Sequence, residues 1–216
     1  MKKALIVYGG WDGHDPEGVA KVFSDILCQE GFDVTMSDTL DTFQGDLRIY
    51  DLIVPVWTMG TLDGEAERNV CDAVANGTGI AGCHGGMCDA FRSSTDWQFM
   101  TGSQWVAHPG NDSVTYKVEI RKETGSPIVK GIEDFTVKTE QYYIHVDPAV
   151  KVLATTRFPT AGGNHFPNGE VDVPVVYTKL WGKGKVFYNS LGHNREIFNI
   201  PEARELMRRG FLFAAR

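Results

Sequence analysis

Short apolar runs alternate with helically spaced apolar positions through the first part of the chain. Residues 3–8 form a continuous apolar run that stops at Gly9 and Gly10, the pattern of a strand covered on both faces. Val19, Val22, Phe23, Ile26 and Leu27 then recur at helical spacing and predict a helix over residues 16–30, with Asp15 as its cap, Pro16 in its first turn and Gly31 as its stop. Residues 32–36 and 51–57 read as a second and a third strand. Ala66, Val70, Ala73 and Val74 share one face of a helix over 64–76, and residues 79–83 make a fourth strand. This is the strand–helix–strand rhythm of a doubly wound, mostly parallel sheet.

The pattern changes after that. Residues 92–113, rich in Ser, Trp, Gly and Asn, read as one long structured loop. Residues 114–121, 134–146 and 150–157 alternate as half-exposed strands do, so antiparallel sheet is expected there, followed by a second loop over 158–172. Residues 173–181 and 185–188 flank Gly182, Lys183 and Gly184, a hairpin signal, and a last helix is expected over 201–214. No repeat, low-complexity tract or linker divides the chain, so residues 1–216 are expected to form a single domain.

Composition narrows the function classes. A net charge of −7 leaves no electrostatic footprint for nucleic acid or an anionic membrane, and no run approaches the length of a membrane span. Arg204, Arg208 and Arg209 are expected to form a solvated face. The apolar run after Lys2 and Lys3 is too short for a signal peptide. Cys28, Cys71, Cys83 and Cys88 form no CxxC pair and read as reduced thiols, which points to a cytoplasmic protein.

In open parallel sheets ligands bind beyond the carboxyl ends of the strands. Trp11, Asp12 and His14 follow the first strand, Trp57 the third, His84 the fourth, and His193 the late hairpin strand. Three of these turns carry a histidine. The sharpest is Gly82, Cys83, His84, Gly85, Gly86, whose spacing is that of a nucleophile elbow with His84 at its centre. Cys83, one position early, should point back toward the sheet. Glu140 could orient a histidine or accept a proton, and Tyr143 and His145 stand beside it on an alternating strand. Trp97, Trp105 and His108 lie in the long loop, Trp97 and Trp105 reading equally as plugs. Neutral imidazoles of His14, His84 and His193 could converge on one divalent metal such as zinc, although no HxH or HxxxH spacing supports it. His165 reads as surface.

Four segments carry a family resemblance: residues 82–86, Trp105 to Pro109 (WVAHP), Thr139 to Tyr143 (TEQYY) and Gly182 to His193 (GKGKVFYNSLGH). In them the chain resembles the ThuA-like family, named for a trehalose-utilisation protein and related to class I glutamine amidotransferases, over nearly its whole length. The resemblance implies a flavodoxin-like or amidotransferase-like three-layer α/β sandwich, with a mostly parallel central sheet and added antiparallel strands. It also implies a role in carbohydrate catabolism, on a sugar or an oxidised (keto) sugar. The amidotransferase pattern would place a cysteine at the elbow and a glutamate two residues after the late histidine. Here the elbow holds His84, and Glu196 lies three residues after His193, so a glutaminase is not expected. Two readings follow. In the first, the chain is a sugar-processing hydrolase, lyase or isomerase, with His84, His193 and Glu140 catalytic and Trp11, Asp12, His14, Trp57, His108, Tyr143 and His145 contacting a carbohydrate ligand. In the second, it is a non-catalytic shell that binds or senses a small molecule. A homodimer is the default assembly for such a fold.

Overall fold

Runs that are apolar on both faces can be satisfied only in the interior of a sheet. In the computed structural model, which describes residues 1–216, β1 (Lys3–Gly10) lies between β2 (Asp33–Ser37) and β3 (Leu52–Thr58), parallel to both, and β4 (Gly79–Cys83) follows β3. The crossovers are α1 (Pro16–Gln29) and α2 (Gly64–Ala75). Beyond β4 come the short α3 (Gly85–Cys88), α4 (Thr95–Thr101), β5 (Ser103–Ala107), β6 (Thr115–Ile120), β7 (Phe135–Lys138), β8 (Tyr143–Val146) and β9 (Lys151–Phe158). The chain ends with the hairpin of β10 (Val171–Trp181) and β11 (Gly184–Asn189), then α5 (Pro201–Ala214). Nine strands form one sheet in the order β2-β1-β3-β4-β11-β10-β9-β6-β7, while β5 and β8 pair as a separate antiparallel ribbon.

Alternate residues of β1 serve opposite faces. Ala4 and Ile6 join the core under α1 and α5, where Phe23 meets Phe198 and Phe211 edge-on. Leu5 and Val7 join the core under α2, α3 and α4, with Met87, Trp97 and Tyr188. The result is the three-layer sandwich with a large, mostly parallel sheet and added antiparallel strands. No helix is long and apolar enough to cross a membrane.

The parallel strands β1, β3, β4 and β11 deliver their carboxyl ends to one edge. There β3 and β4 splay: their pairing covers only Leu52 with Gly79 and Ile53 with Ile80. Pro55, just beyond, has no N–H to give to a ladder. The gap admits α3, whose Gly86 lies so close to β3 that a Cβ there would sit 3.0 Å from Val56 Cα.

Three expectations are corrected. Residues 92–113 are not one loop: Ser94 caps α4 through Trp97 N–H at 2.9 Å, Gly102 stops it in the left-handed region, and β5 follows. The stretch 134–146 is two strands, because Thr139–Tyr142 leaves the ladder to enter the site described below. Asp15 does not cap α1 with its side chain; its carboxylate is taken by Arg195.

Candidate functional site

Four turns and one break between strands converge at that edge. The 3-10 turn after β1 carries His14, β3 ends on Thr58, and the elbow after β4 is His84. The turn after β11 carries His193, and the Thr139–Tyr142 break brings Glu140. Glu140 is held from behind: Tyr116 Oη–H donates to its backbone carbonyl at 3.0 Å, and the Gln141 amide donates to Thr156 Oγ1 at 2.7 Å and to the Arg157 carbonyl at 3.0 Å. Four non-glycine residues have left-handed φ, and three of them, Asp15 (49°), Met59 (60°) and His84 (49°), lie in these turns. Strain of this kind persists where the surroundings over-determine it, and it gathers at functional sites.

The carboxylate of Glu140, 5 % exposed, is the centre of the cluster. His84 Nε2 lies 3.0 Å, His193 Nδ1 3.4 Å and His14 Nε2 3.8 Å from Oε2; His108 Nε2 lies 3.8 Å from Oε1. Tyr142 stacks on His84 with ring centroids 3.8 Å apart. His84 Nδ1 is 2.8 Å from the Ser190 carbonyl, which can only accept, so Nδ1 carries the hydrogen. A neutral His84 then turns a lone pair on Nε2 toward the lone pairs of Glu140. That contact is favourable only with a cation between or beside the two atoms, either a proton or a metal ion.

The electrostatics divide the histidines. Burial pushes His14 down to about 3, helped by neighbouring His84, and burial lowers His84 as well. His193 is raised, because the Glu140 carboxylate stands beside it. Burial works to raise Glu140, but contact with His193 and His84 outweighs it and holds the group well below the usual carboxylate range. A metal requires neutral imidazoles and ionised carboxylates; the shifts favour those states at His14, His84 and Glu140, while His193 would bind a metal in competition with a proton. His14, His84, Glu140 and His193 each offer one ligand atom, all within 4.8 Å of one another, and could hold a metal. A tetrahedron with bonds of ~2.1 Å has edges of about 3.4 Å, and the three distances to Oε2 bracket that value. Three imidazoles with one carboxylate suit a first-row transition ion better than calcium or magnesium.

The structure thus brings together His14, His84, His108, His193 and Glu140, with Trp11 packed edge-on to His14 at 4.7 Å. It does not bring in the others. Trp57 packs over Gly9 and Gly60, where a Cβ would strike its ring. Tyr143 meets Phe158 at 5.3 Å, His145 lines a separate groove with Phe99 and Asp147, and Asp12 is exposed on the turn. His165 is half-buried against Phe158 and Phe166 rather than on the surface. Trp97 is a plug, 1 % exposed, with Nε1 donating to the Met87 carbonyl at 2.9 Å. Thr58, Asp89, Arg92 and Tyr142 at the site were not singled out as site residues from the sequence. Two of them carried a signal: Thr58 follows the third strand, and Tyr142 stands beside Glu140, where strand alternation assigns it to the core. Cys83 lies in the core, 1 % exposed, and burial pushes its thiol far above the ordinary range, so it supplies no thiolate.

Several comparisons bear on this arrangement. No curated protein matches the sequence. A ThuA-like protein from Parabacteroides merdae superposes with a TM-score of 0.77 at 20 % identity, covering 99 % of this chain and 89 % of its own. One from Bacteroides uniformis gives 0.71 at 17 %, covering 98 % and 89 %. A β-galactosidase from Bacillus circulans sp. alkalophilus contains a similar fold, with a TM-score of 0.64 at 13 % identity, covering 97 % of this chain and 31 % of that one. These likenesses show the fold. The profile of the ThuA family, described as trehalose utilisation, matches residues 3–214, and the chain belongs to that family.

Proposed function

We propose that this chain is an enzyme of carbohydrate catabolism that processes a sugar or an oxidised (keto) sugar through the histidine cluster around Glu140. One observation carries the reading: four imidazoles from separate turns meet one buried carboxylate at the carboxyl edge of the parallel sheet. Burying His14, His84 and Glu140 together, with His108 and His193 half-buried beside them, costs stability and persists where function requires it. Proton transfer at a carbon beside a carbonyl, or across a glycosidic oxygen, is the work such a cluster can do. His84 and His193 are the acid/base candidates and Glu140 orients them. In the metal form of this reading, a divalent ion such as zinc held by His14, His84 and His193 would keep an open position and act there as a Lewis acid toward a carbonyl oxygen, with those histidines serving as ligands in place of acid/base groups. The buried, high-pKa Cys83 argues against a glutamyl thioester.

The test is a mass-spectrometric screen of oxidised disaccharides and glycosides, with His84→Ala as control. The wild type is expected to convert at least one compound, and His84→Ala to lose at least ~100-fold in rate with its melting profile intact. Unchanged turnover in the variant sinks the reading. Elemental analysis should find about one transition metal per chain; full activity at a stoichiometry near zero removes the metal. A non-catalytic binding shell is the second reading. In its favour, His84 and Glu140 are almost wholly shielded, at 1 % and 5 % exposed. Binding without turnover of any screened compound would select it.

A further inference from the structure

Resting on that reading, we propose that a cavity beside the cluster seats a single uncharged sugar ring, with Trp105 and Arg92 selecting it. The cavity has a volume of about 160 Å³ and its inner wall is His14, Thr58, His108 and Tyr142. Whatever occupies it therefore touches the cluster. Drug-sized ligands fill roughly 300–1,000 Å³, so this space takes one ring and not an extended chain.

The outer wall has the chemistry of a polyol site. Trp11 and Met59 stand at the rim, each 46 % exposed, and offer apolar surface to the C–H face of a ring. Met59 keeps its place at the cost of a left-handed φ of 60°. The Arg92 guanidinium sits 4.8 Å from the Trp105 ring centroid. Its Nε and Nη2 donate to the two oxygens of Asp89 at 2.6 and 2.8 Å, which leaves Nη1 without a protein partner. Two further polar atoms of the lining, Trp105 Nε1 and His108 Nδ1, are buried without a hydrogen bond. A ring bearing hydroxyls, each both donor and acceptor, matches these groups.

Charge selects among sugars. No lysine lines the cavity, and its one guanidinium is already matched by Asp89, itself 3 % exposed. A carboxylate or phosphate on the part of the ring away from the cluster would lose its water without gaining a counter-charge.

The test is equilibrium binding of methyl α-glucopyranoside, its galacto and manno epimers and methyl α-glucuronoside, read by tryptophan fluorescence and saturation-transfer NMR. At least one neutral glycoside should bind saturably, and its Kd should rise about tenfold in Trp105→Leu and in Arg92→Lys, which keeps the charge but loses the fork. The glucuronoside should bind the wild type about tenfold more weakly than the best neutral glycoside. Saturable binding by none of the four, equal or tighter binding of the glucuronoside, or unchanged affinity in both variants overturns the proposal. If Trp105→Leu does not fold, Arg92→Lys decides alone. Failure of the histidine reading shows instead as unchanged turnover in His84→Ala, which none of these binding measurements involves.

Discussion

One carboxylate among four imidazoles makes the tautomer and orientation of each ring decisive, and the structure fixes one tautomer and one orientation from outside the cluster. The Ser190 carbonyl sets His84. Thr58 Oγ1, 2.9 Å from His14 Nδ1 and 3 % exposed, can donate or accept and so leaves the tautomer open, but it orients the His14 ring with Nε2 toward Glu140. Partners of this kind, orienting a metal-binding histidine, are worth 10- to 100-fold in metal affinity. Thr58→Val keeps the shape and removes the hydroxyl, so its zinc Kd in a chelator competition should rise roughly 10- to 100-fold, while Thr58→Ser should bind as the wild type does. Equal affinity in the valine variant would show that the hydroxyl does not orient the ring. Gly85 acts on the same ring by sterics: a Cβ there would sit 2.8 Å from His14 Cε1. Gly85→Ala should therefore lose metal affinity and activity together, read by the same competition and by turnover, with the sheet intact.

Elements separated by nearly the whole chain must hold those rings in register, and one contact does so visibly. Arg195 Nε and Nη2 donate to the Asp15 carboxylate at 2.6 and 2.9 Å, clipping the turn that carries His14 to the turn that carries His193. Arg195 is more than half exposed, so the pair adds little to global stability. Its expected effect is local: Arg195→Ala should leave the thermal midpoint nearly unchanged and lower turnover and metal affinity, as calorimetry and titration on one preparation would show. The sequence announced the elements at both ends of this clip but not the clip. Periodicity is a local signal, so α1, α2, α5 and the strands β1 to β4 were legible, and with the parallel rule they placed His14, His84 and His193 at one edge. Whether Glu140 faces that edge depends on where strand 134–146 breaks, which Tyr116 on β6, and Thr156 and Arg157 on β9 through Gln141, decide from strands remote in sequence. Alternation put Tyr142 in the core, and it is there, 3 % exposed; what alternation could not show is that its core neighbour is His84. In α4, the seven residues Thr95–Thr101 are too few for a periodic pattern, although Ser94 and Gly102 marked its ends.

The molecule as a whole keeps its reactive groups inside a sealed sandwich. Cys83 and Cys88 are 1 % exposed, burial drives the Cys71 thiol up to about 12, and Cys28 alone is exposed. Cys28 should therefore react promptly with Ellman's reagent at neutral pH, the half-buried Cys71 slowly, and Cys83 and Cys88 only in guanidinium; a third equivalent before denaturation would mean that a buried wall opens. Two of the three α5 arginines that the sequence suggested as a solvated face, Arg208 and Arg209, instead tie that helix to its neighbours. Arg208 bridges Glu205 to Glu30 after α1, and Arg209 pairs with Glu205 while donating to the carbonyls of Pro127, Ile128 and Lys130. Hydrogen bonding from Arg208, then from Arg209, pulls Glu205 down to about 2 against an ordinary 4.5. A carboxyl depressed on folding stabilises the native state above its unfolded pKa and loses that contribution as pH falls through its folded pKa. The loss from Glu205 therefore spans about pH 4.5 to 2. Because the side chain is 30 % exposed, screening limits the contribution to about 1 kcal/mol. Glu205→Gln should be less stable than the wild type by about that amount at pH 7, and the gap should close in urea melts taken stepwise down through that window. A gap that stays constant with pH would mean that Glu205 acts through packing, with its charge irrelevant to how α5 is tied to its neighbours.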